Sequence, residues 1–135
     1  MATAYIHVLV VNDDEAQARR LARPFALWGW DATRVPSDPS AALALMADVP
    51  FDLVLLDLRA AEREHFAFLR VRRDDPRLSA VPVVITAFPG APLPRLARCI
   101  EMGASDYITH PDHHSQIRAR QQNKQQRKQL EEPAT

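Results

Sequence analysis

Two short apolar runs in this 135-residue chain each end on carboxylates. Val8-Leu9-Val10-Val11 leads into Asn12-Asp13-Asp14, and the run from Phe51 to Leu56 leads into Asp57. Runs this short, rich in Val and Leu and bounded by polar residues, read as buried parallel strands. In an open α/β sheet, ligands bind beyond the carboxyl ends of the strands. Acids at the ends of two neighbouring strands therefore meet in one pocket, and carboxylates with free oxygens suit a hard cation such as Mg²⁺.

The remaining elements must hold that pocket. Tyr5–Val11 reads as the first strand and Glu15–Trp28 as an amphipathic helix with Asp13 or Asp14 at its N-cap and Pro24 expected to kink it. Asp31–Val35 is a second strand, and Pro39 opens a second helix that runs to Asp48. Asp52–Leu56 is the third strand. Glu62–Arg73 is a charged helix with Phe66, Leu69 and Val71 facing inward. Val81–Thr86, the helix Arg95–Met102 and the strand Asp106–Thr109 follow, and a polar helix begins near Asp112. Strands alternating with helices of this length predict a five-stranded parallel sheet flanked by five helices, an α/β/α sandwich.

Composition narrows the class. Hydrophobic content of 47% and charged content of 25% are those of an ordinary globular domain, and no apolar run is long enough to span a membrane. The single cysteine, Cys99, excludes an internal disulfide and a cysteine-based zinc site, in keeping with a cytoplasmic setting. Residues 1–114 hold 12 Arg against 15 Asp+Glu, while residues 115–135 hold 5 Lys+Arg against 2 Glu. Both lysines, Lys124 and Lys128, lie in that tail, so the body has no ammonium side chain. The division expected is a body over residues 1–112 and a polar helix and tail over 113–135. That tail is a solvated end, a linker to an effector, or a dimerisation helix. Direct nucleic-acid binding has no motif behind it.

VLVVNDDE, WGWDAT, SDPSAALALM, FDLVLLDL, VPVVITA and GASDYITHP occur in that order. The set resembles the response-regulator receiver domain of bacterial two-component signalling, a CheY-like, flavodoxin-like (βα)5 fold. The resemblance covers residues 5 to about 120. It implies that Asp57 accepts a phosphoryl group from a histidine kinase or phosphotransfer protein, with Mg²⁺ or Mn²⁺ as the cofactor. The metal would be held by Asp13, Asp57 and the main-chain carbonyl of Arg59. Asp14 and Asn12 are further candidates, since Asn12-Asp13 and Asp13-Asp14 are both compatible with the family's acid pair. Thr86 corresponds to the hydroxyl that bonds the phosphoryl group and Tyr107 to the switch aromatic. His110, before Pro111, occupies the usual lysine position.

The chain departs from the family pattern at several places. Asn12 stands where an acid is usual, and an imidazole with a pKa of roughly 6.5 replaces a permanent cation at His110. The stretch Leu58-Arg59-Ala60-Ala61-Glu62-Arg63-Glu64-His65 lacks the usual residues after the phosphoacceptor, and the loop after Thr86 carries Pro89, Pro92 and Pro94. Arg59 is the nearest substitute cation in sequence. Two functions remain open. One is a phosphorelay receiver signalling by protein–protein contacts to a downstream effector, with a homodimer as one option. The other is an atypical receiver acting as a phosphorylation-independent interaction module. Neither is an enzyme in its own right. A haloacid-dehalogenase-type phosphatase would need a second Asp where Arg59 stands. Plainer roles exist for each residue: helix caps for Asp13 and Asp14, a strand-end carboxylate for Asp57, a backbone partner for Thr86 and core packing for Tyr107.

Overall fold

The computed structural model describes residues 6–109. They form β1 (His7–Val11), α1 (Glu15–Leu27), β2 (Asp31–Val35), α2 (Pro39–Asp48), β3 (Leu53–Asp57), α3 (Leu58–Asp74), β4 (Val83–Thr86), α4 (Leu93–Glu101) and β5 (Asp106–Ile108). The strands make one parallel sheet in the order β2-β1-β3-β4-β5. The five strands expected from the sequence are all present, as are four of the five helices. The fifth helix, His110 and the 113–135 tail lie outside the described residues.

Alternation along the strands sorts the core into two layers. Leu9, Val11, Val54, Leu56, Val83 and Ile85 pack with Met46 of α2, Phe68 and Leu69 of α3, and Leu96 of α4. Val8, Val10, Leu53, Leu55, Val84 and Ile108 form the opposite layer with Ala18 and Phe25 of α1. Phe25 stacks on Trp30 with ring centroids 5.5 Å apart, closing the far end of that layer.

Helix starts follow local chemistry. The Asp14 carboxylate accepts the Gln17 N–H at the start of α1, and Asp38 accepts the Ser40 N–H ahead of Pro39 in α2. α1 runs through Pro24 to Leu27. α3 differs most from expectation. It begins directly after Asp57, four residues earlier than the charge pattern indicates, and breaks at Arg63–Phe66 before resuming. After the break Phe68, Leu69 and Arg72 are buried and Phe66 is half-buried, while Val71, expected to face inward, is 47% exposed.

Candidate phosphoacceptor site

The carboxyl ends of β1, β3 and β4 bring the candidate side chains together. Asp57 is the last residue of β3 and is paired in register with Thr86, the last residue of β4. Asp57 alternates with Leu53 and Leu55 and Thr86 with Val84, so both belong to the α1-facing side of the sheet. Both are buried, Asp57 at 8% exposure.

Burial pushes the Asp57 carboxyl above its ordinary value of 3.8, because a charge is disfavoured away from water. The Arg59 guanidinium and the backbone N–H groups of Arg59 and Ala60 act in the opposite direction. The negative charge of Asp13 adds to the rise, which places Asp13 and Asp57 within each other's field. Arg59 Nε lies 3.8 Å from Asp57 Oδ2, with the Arg59 side chain mostly in solvent.

The three residues after β1 take different positions. Asn12 is buried, and its N–H donates to the Val35 carbonyl at 3.0 Å, extending the β1–β2 ladder. Its Oδ1 accepts the Asp14 N–H at 2.9 Å and its Nδ2 donates to Gln17 Oε1 at 3.0 Å, a turn that leads into α1. Asp13 is exposed, and its Oδ1 accepts the Ser37 N–H at 2.7 Å. Asp14 is exposed and caps α1. The backbone of this loop is held from β2, where Arg34 donates to the carbonyls of Asn12 and Asp13 at 3.1 and 3.0 Å.

Arg59 sits in the first turn of α3. Tyr107 lies in the middle of β5, 37% exposed, in register with Ile85. Beyond the acids, Arg95 of α4 forms a paired contact with Glu62 of α3 at 3.0 and 2.6 Å. This contact raises the Arg95 pKa, with a smaller contribution from the Asp57 charge.

Arg34, Ser37 and Arg63 were not among the residues singled out from sequence. Arg34 looks like any polar residue of an exposed edge strand. Ser37 contributes through its backbone, which side-chain chemistry cannot flag. Arg63 Nη1 donates to the Ser37 carbonyl and lies 3.9 Å from Asp13 Oδ2. Its only sequence signal is its place in the stretch after Asp57 that departs from the usual pattern.

The residues present fit a hexacoordinate hard cation. Mg²⁺ is commonly bound by one or two carboxylates, with water and phosphate oxygens filling the rest. Asp13 and Asp57 supply two mutually repelling carboxylates, and a bound cation would relieve that repulsion. Among the described residues, no group of three or more His, Cys, Asp or Glu side chains gathers as a metal cluster.

A family profile described as the response regulator receiver domain matches residues 8–122. The chain belongs to the response-regulator receiver domain family. Regulatory protein AtoC of Escherichia coli strain K12 is 31% identical over 109 residues, covering 81% of this chain and 23% of that protein. Response regulator PleD of Caulobacter vibrioides is 33% identical over 105 residues, covering 77% of this chain and 22% of PleD. The chain thus spans under a quarter of the length of these curated relatives. Two-component response regulator ORR3 of Oryza sativa is 28% identical over 105 residues, covering 78% of this chain and 79% of that protein.

Solved structures agree on the fold of the receiver domain. A response regulator from Chloroflexus aurantiacus superposes with a TM-score of 0.77 at 18% identity, covering 87% of this chain and 97% of that one. Chemotaxis response regulator CheY4 of Vibrio cholerae gives 0.71 at 17% identity, covering 87% and 99%. The flavodoxin-like, CheY-like α/β architecture and membership of a family of two-component signalling modules are therefore established. Among the described residues, no helix is long and apolar enough to cross a membrane.

Proposed function

We propose that this receiver domain accepts a phosphoryl group on Asp57 from a histidine kinase or phosphotransfer protein and signals by protein–protein contacts in the cytoplasm. The observation that carries this reading is the placement of Asp57. It is a buried carboxylate at the sheet's carboxyl edge, in register with Thr86 and within the field of Asp13.

A carboxylate oxygen of Asp57 attacks phosphorus as the phosphorus–nitrogen bond of the donor phosphohistidine breaks, and the departing imidazole keeps that electron pair and takes up a proton. Burial favours this step by making the carboxylate more basic than one in water. The Thr86 hydroxyl donates to a phosphoryl oxygen, and the Arg59 guanidinium approaches the same group from solvent. Asp13 and Asp57, with the Arg59 carbonyl, would hold Mg²⁺ or Mn²⁺; when bound, the ion neutralises phosphoryl oxygens. Asn12 and Asp14 serve the loop and the cap of α1 in this reading. His110 is the residue at the usual lysine position, and Tyr107 on β5 belongs to the output face with α4. Residues 1–112 form the receiver body and 113–135 a tail that leads to an effector or dimerises.

One observation favours a second reading, a receiver that works as an interaction module without phosphorylation. Asn12 has both polar ends of its side chain hydrogen-bonded, and guanidinium groups already accompany Asp57 and Asp13. The test is intact-protein mass after incubation with acetyl phosphate and Mg²⁺, beside an Asp57→Asn control. A gain of one phosphoryl group, absent from the control, supports the first reading. No gain from acetyl phosphate or from a kinase supports the second.

A further inference from the structure

Arg63 leaves the helix in which it begins. Its ψ is 139°, and Glu64, His65 and Phe66 follow at φ of 52°, 54° and 62°. Left-handed dihedrals are unfavourable for any residue with a Cβ, so three in succession require contacts that offset them. Arg70 supplies some, donating to the His65 and Glu64 carbonyls at 2.9 and 3.2 Å. Arg63 supplies others, reaching back over the site to the Ser37 carbonyl and the Asp13 carboxylate. Both oxygens of Asp13 are thereby engaged: Oδ1 accepts the Ser37 N–H at 2.7 Å and Oδ2 faces Arg63 at 3.9 Å.

We propose that Arg63 is a built-in counter-cation for Asp13, competing with a divalent cation for that carboxylate, so that metal loading requires the guanidinium to withdraw. The inference rests on the reading that Asp13 is a metal ligand. Arg63 acts through Asp13 and is a positioning residue. The break in α3 is what allows it to do so. At Arg63 the chain departs from the helix path, and a guanidinium on its six-atom reach spans from α3 to the loop after β2. The same break makes withdrawal feasible, since a segment held in unfavourable dihedrals by a few polar contacts gives them up more readily than a regular helix does.

The test is a calorimetric or NMR titration of the unphosphorylated full chain with Mg²⁺ alone. Arg63→Gln is expected to bind about fivefold more tightly than the wild type, the scale of one partly exposed ion pair. Arg63→Lys keeps the charge and is expected to retain the wild-type affinity, while Asp13→Asn removes the gain when combined with Arg63→Gln. Arg63→Met serves as a second neutral replacement if the Gln variant does not fold. A merely structural Arg63 would change thermal stability without raising Mg²⁺ affinity. Equal or weaker binding by the neutral variants overturns the proposal. So does Lys behaving like Gln, or no binding by any variant. The readout does not involve phosphoryl transfer, so failure of Asp57 to gain a phosphoryl group is seen separately by mass.

Discussion

Asp57 and Thr86 face each other as register partners at the carboxyl ends of β3 and β4, both buried on the α1 side of the sheet. The arrangement places a carboxylate and a hydroxyl on one side of two adjacent strands. It also takes the carboxylate out of water, and the energetic consequence is measurable apart from any signalling role.

Burial raises the Asp57 pKa, so the folded state holds this proton more tightly than the unfolded chain does. Between the ordinary value of 3.8 and the raised value, the native state binds more protons, and stability falls as pH increases. The stability linked to this group is fully present below 3.8 and is lost as pH rises through the folded value. Asp57→Asn should therefore unfold at higher urea concentration than the wild type at pH 7, with the gap closing below pH 3.8. A variant equal to or less stable than the wild type at pH 7 would show that Arg59 and the nearby amides outweigh desolvation.

Thr86→Val keeps the shape of the strand residue and removes its donor. If the hydroxyl bonds a phosphoryl oxygen, the rate of mass gain from acetyl phosphate should fall about tenfold, as expected for losing one hydrogen bond to a charged group at about 1.5 kcal/mol. The urea midpoint should change little. An unchanged rate would assign Thr86 to the strand alone.

The sheet was legible because its signal is local: apolar runs with polar ends mark β1, β3 and β4, and β2 and β5 lie where the alternation with helices calls for a strand. β2 is matched at both ends, Asp31 and Val35. The acids after β1 and β3 were legible for the same reason, since a strand end fixes where its next residue goes. Of the cations, Arg59 was legible from its place two residues after Asp57, and Arg63 was not. Arg63 reaches Asp13 only because Glu64–Phe66 adopt left-handed dihedrals, and no glycine or proline marks that break. On the inward face of α3, Leu69 is buried and Phe66 packs against the core as the sequence indicates, whereas Val71 is exposed and the buried ring is Phe68. Val71 lies two residues beyond Leu69, about 200° round a 3.6-residue helix, so it faces solvent where Leu69 faces the core.

That correction yields a paired test. Phe68→Ala removes a fully buried ring from the layer shared with α2 and α4 and should cost about 3–5 kcal/mol. Val71→Ser alters a surface position and should stay within about 0.5 kcal/mol of the wild type. Denaturant unfolding of the two variants tests this assignment, and a larger effect at Val71 would place it, rather than Phe68, on the inward face.

Among the described residues Arg72 is the buried cation, and no carboxylate there pairs with it. Its guanidinium instead gathers three carbonyl oxygens: Val81 at 2.7 and 3.0 Å, Gly103 at 2.7 Å and Ser79 at 3.1 Å. Burial lowers its pKa below the usual guanidinium value, yet it stays charged at any ordinary pH. The carbonyls come from the segment before β4 and the turn after α4, so one side chain ties the end of α3 to both. Arg72→Met would remove the charged donor that three carbonyls share and should cost about 3 kcal/mol or more in urea unfolding. Arg72→Lys should recover little of that loss, because an ammonium offers its donors from one point and cannot span three separated oxygens. Full recovery by lysine would mean that charge alone, rather than the planar fork, holds the three segments together.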